Sequence, residues 1–323
     1  MKPRHSKTLN SNTYLAWLEW PEKCFRVDAE ALRTLKALVP PGSRIVRARS
    51  EAAFLKVLPQ ATHAIVWNFR DEWFARAPKL KVLATPAAGQ ELVPTTGPKG
   101  VKIHFGHYHG TIISESVAGF MLAWAKGFFA APQAPKSCRL WPRTWLSDKC
   151  FDVAGTKAVI VGYGHVGRAI GAKLAALGVS VTGITRHGIF RQAKKLPLST
   201  STSVLNLLRE ADWLILALPS TTGTDNWLDA ARIGKLPRRC VVINVGRGNS
   251  VDEKALFAAL KAHRLAGAYL DVRKCEPSKT VPDFGTNAAL EKLPNCIVMP
   301  HSSAFSPNYV RLCFEELKND RCL

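Results

Sequence analysis

The chain has 323 residues, 47% hydrophobic and 21% charged, which suits about two globular domains with ample cores and excludes a disordered or fibrous protein. Its 45 Lys and Arg against 24 Asp and Glu give a net charge of +21, spread as 17 basic and 8 acidic side chains over residues 1 to 108, 25 and 13 over 109 to 301, and 3 and 3 over 302 to 323. A dedicated nucleic-acid binder concentrates charge in a stripe, arm or finger, so no specific nucleic-acid partner is expected.

Lys2, Arg4 and Lys7 precede the first acidic residue, Glu19, without the apolar core and small-residue cleavage site of a secretory leader. Apolar, β-rich runs at Thr13 to Glu19, Arg44 to Arg49, His63 to Asn68, Leu80 to Thr85 and Val101 to Phe105 predict strands. Helices are expected between the first four, over Asp28 to Leu38, Glu51 to Leu58 and Asp71 to Ala77. This alternation predicts parallel βαβ units in a small open α/β domain, residues 1 to 108.

A helix over about Ser114 to Phe129 follows, overlapping the longest apolar stretch, Val117 to Ala131. Lys126 interrupts that stretch and it is too short to span a bilayer, so no membrane contact is expected. The segment Ala131 to Ser147, rich in proline and tryptophan, reads as a loop. A second α/β series then places strands at Ala158 to Val161, Val179 to Ile184, Trp213 to Leu218, Val241 to Val245, Ala268 to Val272 and Ile297 to Met299. Its helices fall at Val166 to Leu177, Val204 to Glu210 and Asp252 to His263, giving a doubly wound parallel sheet over residues 109 to 301.

Val161-Gly162-Tyr163-Gly164-His165-Val166-Gly167 closes a strand and opens a helix, the setting that gives GxGxxG its meaning. Gly162 permits the tight turn, Gly164 lets backbone amides approach a pyrophosphate, and Gly167 lets helix and strand pack closely. The next strand ends Gly183-Ile184-Thr185-Arg186-His187, where an NAD-selective site carries an acidic residue for the ribose hydroxyls. No Asp or Glu occurs from Arg168 to Arg209, whereas Arg186, Arg191, Lys194 and Lys195 are available to a 2′-phosphate, so NADP is the expected cofactor.

Four later residues carry the chemistry: Arg247 in Asn244-Val-Gly-Arg247-Gly248, Asp271 in Gly267-Ala-Tyr-Leu-Asp271-Val272, Glu276 before Pro277, and His301 after Met299-Pro300. A guanidinium grips a carboxylate through paired hydrogen bonds, and a carboxylate-backed imidazole supplies a proton; reduction of a 2-keto acid needs both. Taken singly they read as a surface ion pair, a strand-end turn, a solvated loop and a core histidine. In order, behind a dinucleotide fingerprint, they point to a hydride-transfer site.

With Leu80-Lys81, Leu218-Pro219-Ser-Thr-Thr-Gly-Thr224 and Ala255-Leu256 to Ala259-Leu260, these motifs make residues 80 to 319 resemble the D-isomer-specific 2-hydroxyacid dehydrogenase family, the glyoxylate and hydroxypyruvate reductases in particular. The resemblance implies a Rossmann domain and a smaller flavodoxin-like α/β substrate domain, completed by a C-terminal helix over 302 to 323. It makes Arg247 the clamp on the substrate carboxylate and carbonyl, His301 the general acid, and Glu276 its partner. It makes Ala88 and Gly89, in the turn Ala87-Ala88-Gly89-Gln90, amide donors to the substrate carboxylate. Gly162, Gly164, His165, Val166, Gly167, Thr185, Arg186, Pro219, Thr224 and Asp271 would hold the cofactor, with Asp271 orienting the nicotinamide carboxamide or tuning the site. Dimerisation through the nucleotide domain is implied as well.

Three positions depart from the family's habit: Gly246 precedes Arg247 where alanine is common, Met299 stands where threonine is frequent, and Arg273-Lys274 follows Asp271-Val272 in place of aromatic and acidic residues, which is expected to add positive charge near the site. A nucleotide-sensing regulator of corepressor type on the same fold is the alternative, and Glu276 in place of glutamine disfavours a formate-type site. Trp67, Asn68, Phe69, Tyr108, Trp141 and Trp145 are candidates for the pocket around the keto acid's side chain. The eight cysteines form no CxxC and sit near no histidine pair, so neither a metal site nor a disulfide framework is expected and a reducing cytoplasm fits.

Overall fold

The computed structural model describes residues 12–138, 141–191, 194–196, 201–276 and 288–323. Lys2, Arg4, Lys7 and Pro277, singled out above, lie outside the described residues. Two compact units form, residues up to His109 together with Phe305–Leu323, and Gly110–Ala304.

In the first unit β1 (Thr13–Trp17), α1 (Ala29–Leu38), β2 (Arg44–Arg47), α2 (Glu51–Val57), β3 (His63–Val66), β4 (Val82–Thr85) and β5 (Lys102–Phe105) follow one another. The strands are all parallel, in the order β2-β1-β3-β4-β5, the flavodoxin-like arrangement. Asp28 and Ser50 cap α1 and α2 by accepting the Ala31 and Ala53 amides, which is why each helix starts there. Asp71 to Ala77, expected as an α-helix, is a 3-10 turn over Asp71–Arg76: Trp73 is drawn into an aromatic cluster with Trp17, Phe54 and Phe69, which outweighs helical propensity in so short a segment.

The second unit opens within α3 (His109–Ala125), which begins earlier than the sequence suggests and ends four residues sooner. Gly127 takes φ +74 and Phe128 N–H bonds back to Ala123 C=O at 2.9 Å, the left-handed stop that closes a helix. The expected loop Ala131 to Ser147 contains α4 (Arg143–Ser147). Then come β6 (Lys157–Val161), α5 (His165–Ala176), β7 (Ser180–Thr185), β8 (Gly188–Arg191), β9 (Lys194–Leu196), α6 (Ser201–Glu210), β10 (Trp213–Leu216), α7 (Ala230–Ile233), β11 (Val241–Asn244), α8 (Glu253–Lys261), β12 (Gly267–Leu270), α9 (Ala288–Glu291) and β13 (Cys296–Val298).

The sheet order is β13-β12-β11-β10-β6-β7-β8-β9, parallel except for β8 and β9. Alternate residues of its strands feed two separate cores: Val159, Leu214, Val242 and Ala268 on one face, Ile160, Ile215, Ile243 and Tyr269 on the other. A strand buried on both faces reads as a continuous apolar run, so these strands were visible in the sequence. The edge is different. Where a parallel third strand would lie, an antiparallel hairpin pairs Thr185 with Gly188 and leaves Arg186 and His187 as its two-residue turn.

Finally, α10 (Tyr309–Asn319) packs on α1 in the first unit. The expected helix over 302 to 323 is shorter at both ends, because the Ser302 and Ser303 amides bond to Asp271 instead of starting a helix and Arg321 turns the chain at φ +56.

Candidate active site

Four strand ends of the second unit are held together by glycines whose backbones nearly touch. Gly162, at φ +91 after β6, has no room for a Cβ because the Ala217 carbonyl beyond β10 occupies that space. Gly246, beyond β11, lies against the Leu218 backbone, and Gly248 against the Arg273 backbone beyond β12. The alanine common at position 246 would strike Leu218, which accounts for the glycine. Ligands of such sheets bind outside the carboxyl ends of the strands, beside the switch point that here falls between β6 and β10.

Gly164 contrasts with its neighbours, for a Cβ there would meet nothing within 4 Å. No packing inside the chain demands a glycine at that exposed position, whereas Gly167 sits against the Gly162 carbonyl. Open space at Gly164 in front of the uncapped first turn of α5, with His165 exposed and Val166 half-buried, fits a pyrophosphate. Thr185 spends its hydroxyl inside the hairpin turn, donating to Gly188 C=O at 3.2 Å and accepting His187 N–H at 3.1 Å. Thr224 likewise closes the turn after Pro219, donating to the Pro219 carbonyl at 2.7 Å. Arg186 stands exposed at the tip of the β7 to β8 turn.

Beyond β11, Asn244 accepts the Gly246 amide at 3.1 Å and donates to Arg247 C=O at 3.2 Å, while Ser250 Oγ donates to the same carbonyl at 2.7 Å. The Arg247 backbone is thereby fixed with its side chain half-buried. His301 Nδ1 lies 3.0 Å from Glu276 Oε2, with the two side chains 50% and 42% exposed. The Glu276 hydrogen bond raises the His301 pKa above its ordinary value; burial and the Arg247 charge work against it. Burial pushes the Glu276 carboxyl up, but His301 and then Arg247 bring it below its ordinary value. Arg247, Glu276 and His301 are therefore within electrostatic reach of one another.

His301 is held at φ +53, a left-handed conformation that costs about 1 kcal/mol. Asp271 holds it there. Its main-chain oxygen accepts His301 N–H at 2.9 Å, its Oδ1 accepts Ser302 N–H at 2.9 Å and Ser303 N–H at 3.0 Å, and Oδ2 accepts Ser303 N–H at 3.1 Å. Tyr269 Oη and the Ser116 hydroxyl bind Ser303 as well. Both Asp271 oxygens thus accept amides inside the chain, a role that the sequence motif did not disclose. Asp271, Glu276, Met299 and His301 border a recess of about 520 Å³.

Arg273 does not bring the extra charge that its position in the sequence suggests. It is buried and paired with Glu253 at 3.1 Å and Glu291 at 3.4 Å, and Glu253 also accepts Lys274 N–H at 2.8 Å, tying down the segment that leads to Glu276. In the first unit, Ala88 and Gly89 lie in the turn after β4, and among the described residues neither amide is used in a hydrogen bond. Of the candidates for the side-chain pocket, Phe69 belongs to the core, 3% exposed. Trp67 is buried against Phe25 and Tyr309, and Tyr108 is half-buried and stacked on His109. Asn68 is exposed, Trp141 is exposed, and Trp145 lies under the Lys149 ammonium at 4.6 Å.

The sequence pattern of the D-isomer specific 2-hydroxyacid dehydrogenase NAD-binding domain matches residues 118–303. The chain belongs to this family. It is therefore an oxidoreductase that works with a nicotinamide cofactor on 2-hydroxy or 2-keto acids. The enzyme is 29% identical to a glycerate dehydrogenase of Methylorubrum extorquens, with 77% of each chain covered, and 28% identical to a glyoxylate reductase of Thermococcus kodakarensis, with 71% of this chain and 69% of the relative covered. Among solved structures it resembles an NADPH-dependent glyoxylate/hydroxypyruvate reductase of Sinorhizobium meliloti bound to NADP and sulfate, at 25% identity and TM-score 0.70 over 97% of this chain and 94% of the other. A family member of Xanthobacter autotrophicus in complex with NADPH and MES shares the fold at TM-score 0.73 and 23% identity, covering 96% and 94%.

Proposed function

We propose that the enzyme is an NADP-preferring reductase of small 2-keto acids of the glyoxylate or hydroxypyruvate type, forming the D-2-hydroxy acid. The carboxylate-backed His301 beside Arg247, at the carboxyl ends of the strands, carries this reading. Arg247 grips the carboxylate and keto oxygen of the substrate, since a guanidinium fork matches two oxygens at once. His301, whose protonated form Glu276 favours, delivers a proton to the keto oxygen as it gains negative charge. Asp271 acts as a positioning residue that presents His301 through the Ser302 and Ser303 amides. Ala88 and Gly89 offer their amides to the substrate carboxylate, which makes residues 1–108 with the C-terminal helix a substrate domain and 109–301 the cofactor domain.

A nicotinamide dinucleotide supplies hydride to the keto carbon when bound. Gly162, Gly164, His165, Val166 and Gly167 cradle its pyrophosphate, and Pro219 and Thr224 shape the turn beside it. NADP preference rests on Arg186 at the hairpin tip and on the lack of any acidic residue between Arg168 and Arg209. The NADP found in the Sinorhizobium relative supports the same choice. Leu122, Phe128, Trp141 and Phe151 are exposed, with Phe128 at 69% and Trp141 at 78%, and they suit a homodimer formed through this unit. Unpaired thiols at all eight cysteines support a cytoplasmic location.

The test is a panel of 2-keto acids assayed with NADPH and NADH in parallel. Consumption of NADPH with glyoxylate or hydroxypyruvate at a higher kcat/KM than with NADH is expected, and equal or reversed cofactor use would remove the NADP assignment.

A further inference from the structure

Arg273 joins three stretches of the second unit that carry or flank the site's charged side chains. Its side chain is 3% exposed, and that of Glu253, the first residue of α8, is 5% exposed. Glu253 Oε1 accepts Arg273 Nε–H at 3.1 Å and Lys274 N–H at 2.8 Å, while its Oε2 faces Arg273 Nη2 at 3.4 Å. On the other side of the fork, Arg273 Nη1 lies 3.4 Å from Glu291 Oε1, at the end of α9. Gly248, which follows Arg247, fixes the same main chain from a second direction, since no Cβ fits there against the Arg273 carbonyl and the Lys274 amide. In sequence Glu276 therefore lies between two anchors, the Glu253-bound amide of Lys274 upstream and Glu291 downstream, and one guanidinium touches both carboxylates.

We propose that Arg273 is a positioning residue for the reaction: through Glu253 and Glu291 it holds the chain on both sides of Glu276, so that this carboxylate stays on His301 at a fixed spacing from Arg247. The inference rests on the reading of His301 as proton donor. The His301 to Glu276 contact cannot hold itself. With side chains 50% and 42% exposed, the pair is screened by water and must order two side chains to form, so it depends on the backbone beneath it. A guanidinium fork meets two carboxylate oxygens in one planar arrangement, which fixes direction as well as distance. Stability alone does not explain the fork, because a buried ion pair pays the desolvation of two charges and apolar residues of equal volume commonly do as well. An aromatic side chain at position 273 would fill the space and leave Glu253 and Glu291 without this partner.

Two other roles for Arg273 make different demands on pH. As a charge alone, its removal would take a cation from the neighbourhood of His301 and favour the imidazolium, moving the alkaline limb of kcat to higher pH. As packing alone, its removal would lower stability and leave that limb in place. Loss of a positioning residue instead frees Glu276 from His301, whose protonated form Glu276 favours, and moves the limb to lower pH. The other charged groups that face His301 are Asp271 and Arg247, and none of the substitutions below alters them.

The test is the pH dependence of kcat for keto-acid reduction by Arg273→Met, by Arg273→Met with Glu253→Gln, and by Glu291→Gln, with Glu276→Gln as the reference and thermal unfolding to confirm that each variant folds. The double substitution leaves no buried charge unpaired and covers failure of Arg273→Met to fold, and Glu291→Gln, at a side chain 37% exposed, changes no buried residue. Arg273→Met should lower kcat about 10-fold, keep KM for NADPH within about twofold, and move the alkaline limb toward its position in Glu276→Gln. Glu291→Gln should move it less, in the same direction. Added to Glu276→Gln, Arg273→Met should bring no further movement, because both act through one contact. A limb that stays in place or moves to higher pH in the folded Arg273 variants would overturn the positioning role while leaving Glu276 as the partner of His301. A limb that Glu276→Gln itself leaves unmoved would overturn that partnership, and the proposal with it.

Discussion

His301 and His104 each have a glutamate oxygen at 3.0 Å, one pair in each unit, yet their surroundings differ in sign and in access. The His301 side chain is 50% exposed and its further charged neighbours are Asp271, which already accepts the Ser302 and Ser303 amides, and the Arg247 guanidinium, which suits an anionic ligand beside the pair. The His104 side chain is 8% exposed, its other ring nitrogen lies 3.8 Å from Asp320 Oδ2, and the Lys102 ammonium donates to the Asp320 carbonyl at 2.8 Å, so its charges are answered inside the chain. A histidine backed by a carboxylate therefore does not define a site. Exposure and the third group decide whether a ligand completes it.

Substitution of that third group at the first pair should have the largest effect. Arg247→Ala is expected to lower kcat/KM for a 2-keto acid by about 10³-fold, and Arg247→Lys should recover little, because charge without the planar fork does not hold two oxygens. Steady-state kinetics would show it. If Arg247→Ala left kcat/KM unchanged, the contrast between the two histidines would have no functional content.

Glu276→Gln sharpens the comparison through pH. The glutamate raises the His301 pKa, so the amide variant should let it fall. Keto-acid reduction needs His301 protonated and is lost as pH rises through its pKa, so the alkaline limb of the rate profile should move to lower pH, with kcat down by about 10-fold or more. An alkaline limb that stayed in place would show that another group titrates in it. Smaller again is the expected effect of Arg186→Ala: KM for NADPH should rise by about 10-fold with KM for NADH little changed, since only NADPH carries the 2′-phosphate. The smallest effect on turnover is expected for His104→Gln, which should leave kcat within about twofold while lowering the unfolding midpoint by a few degrees, as loss of a buried polar partner does.

The second sheet was legible from the sequence because its central strands are buried on both faces and read as unbroken apolar runs. The β8 to β9 hairpin was not, since Gly188 to Arg191 is too short to show a period and only its packing reveals that Ile189 enters the core. Arg247, Glu276 and His301 could be picked out because ordered motifs carry them. The setting of those residues was hidden. Arg273 looked like added charge until its partner Glu253, 20 residues upstream, was brought to it. That Asp271 also fixes the His301 turn through the Ser302 and Ser303 amides, more than 30 residues downstream, had no signal in its motif. The His104 to Glu316 pair spans 212 residues, with no motif at either end to suggest that the two meet.

The central claim is that His301 is the proton donor of a 2-keto acid reductase. Its most direct test is the turnover number of His301→Ala with NADPH and glyoxylate or hydroxypyruvate, measured beside the affinity of the same variant for NADPH. A fall in kcat of at least about 10²-fold, with NADPH affinity within about threefold of the unsubstituted enzyme, is the predicted result. Retention of turnover by a variant that still binds NADPH would contradict it.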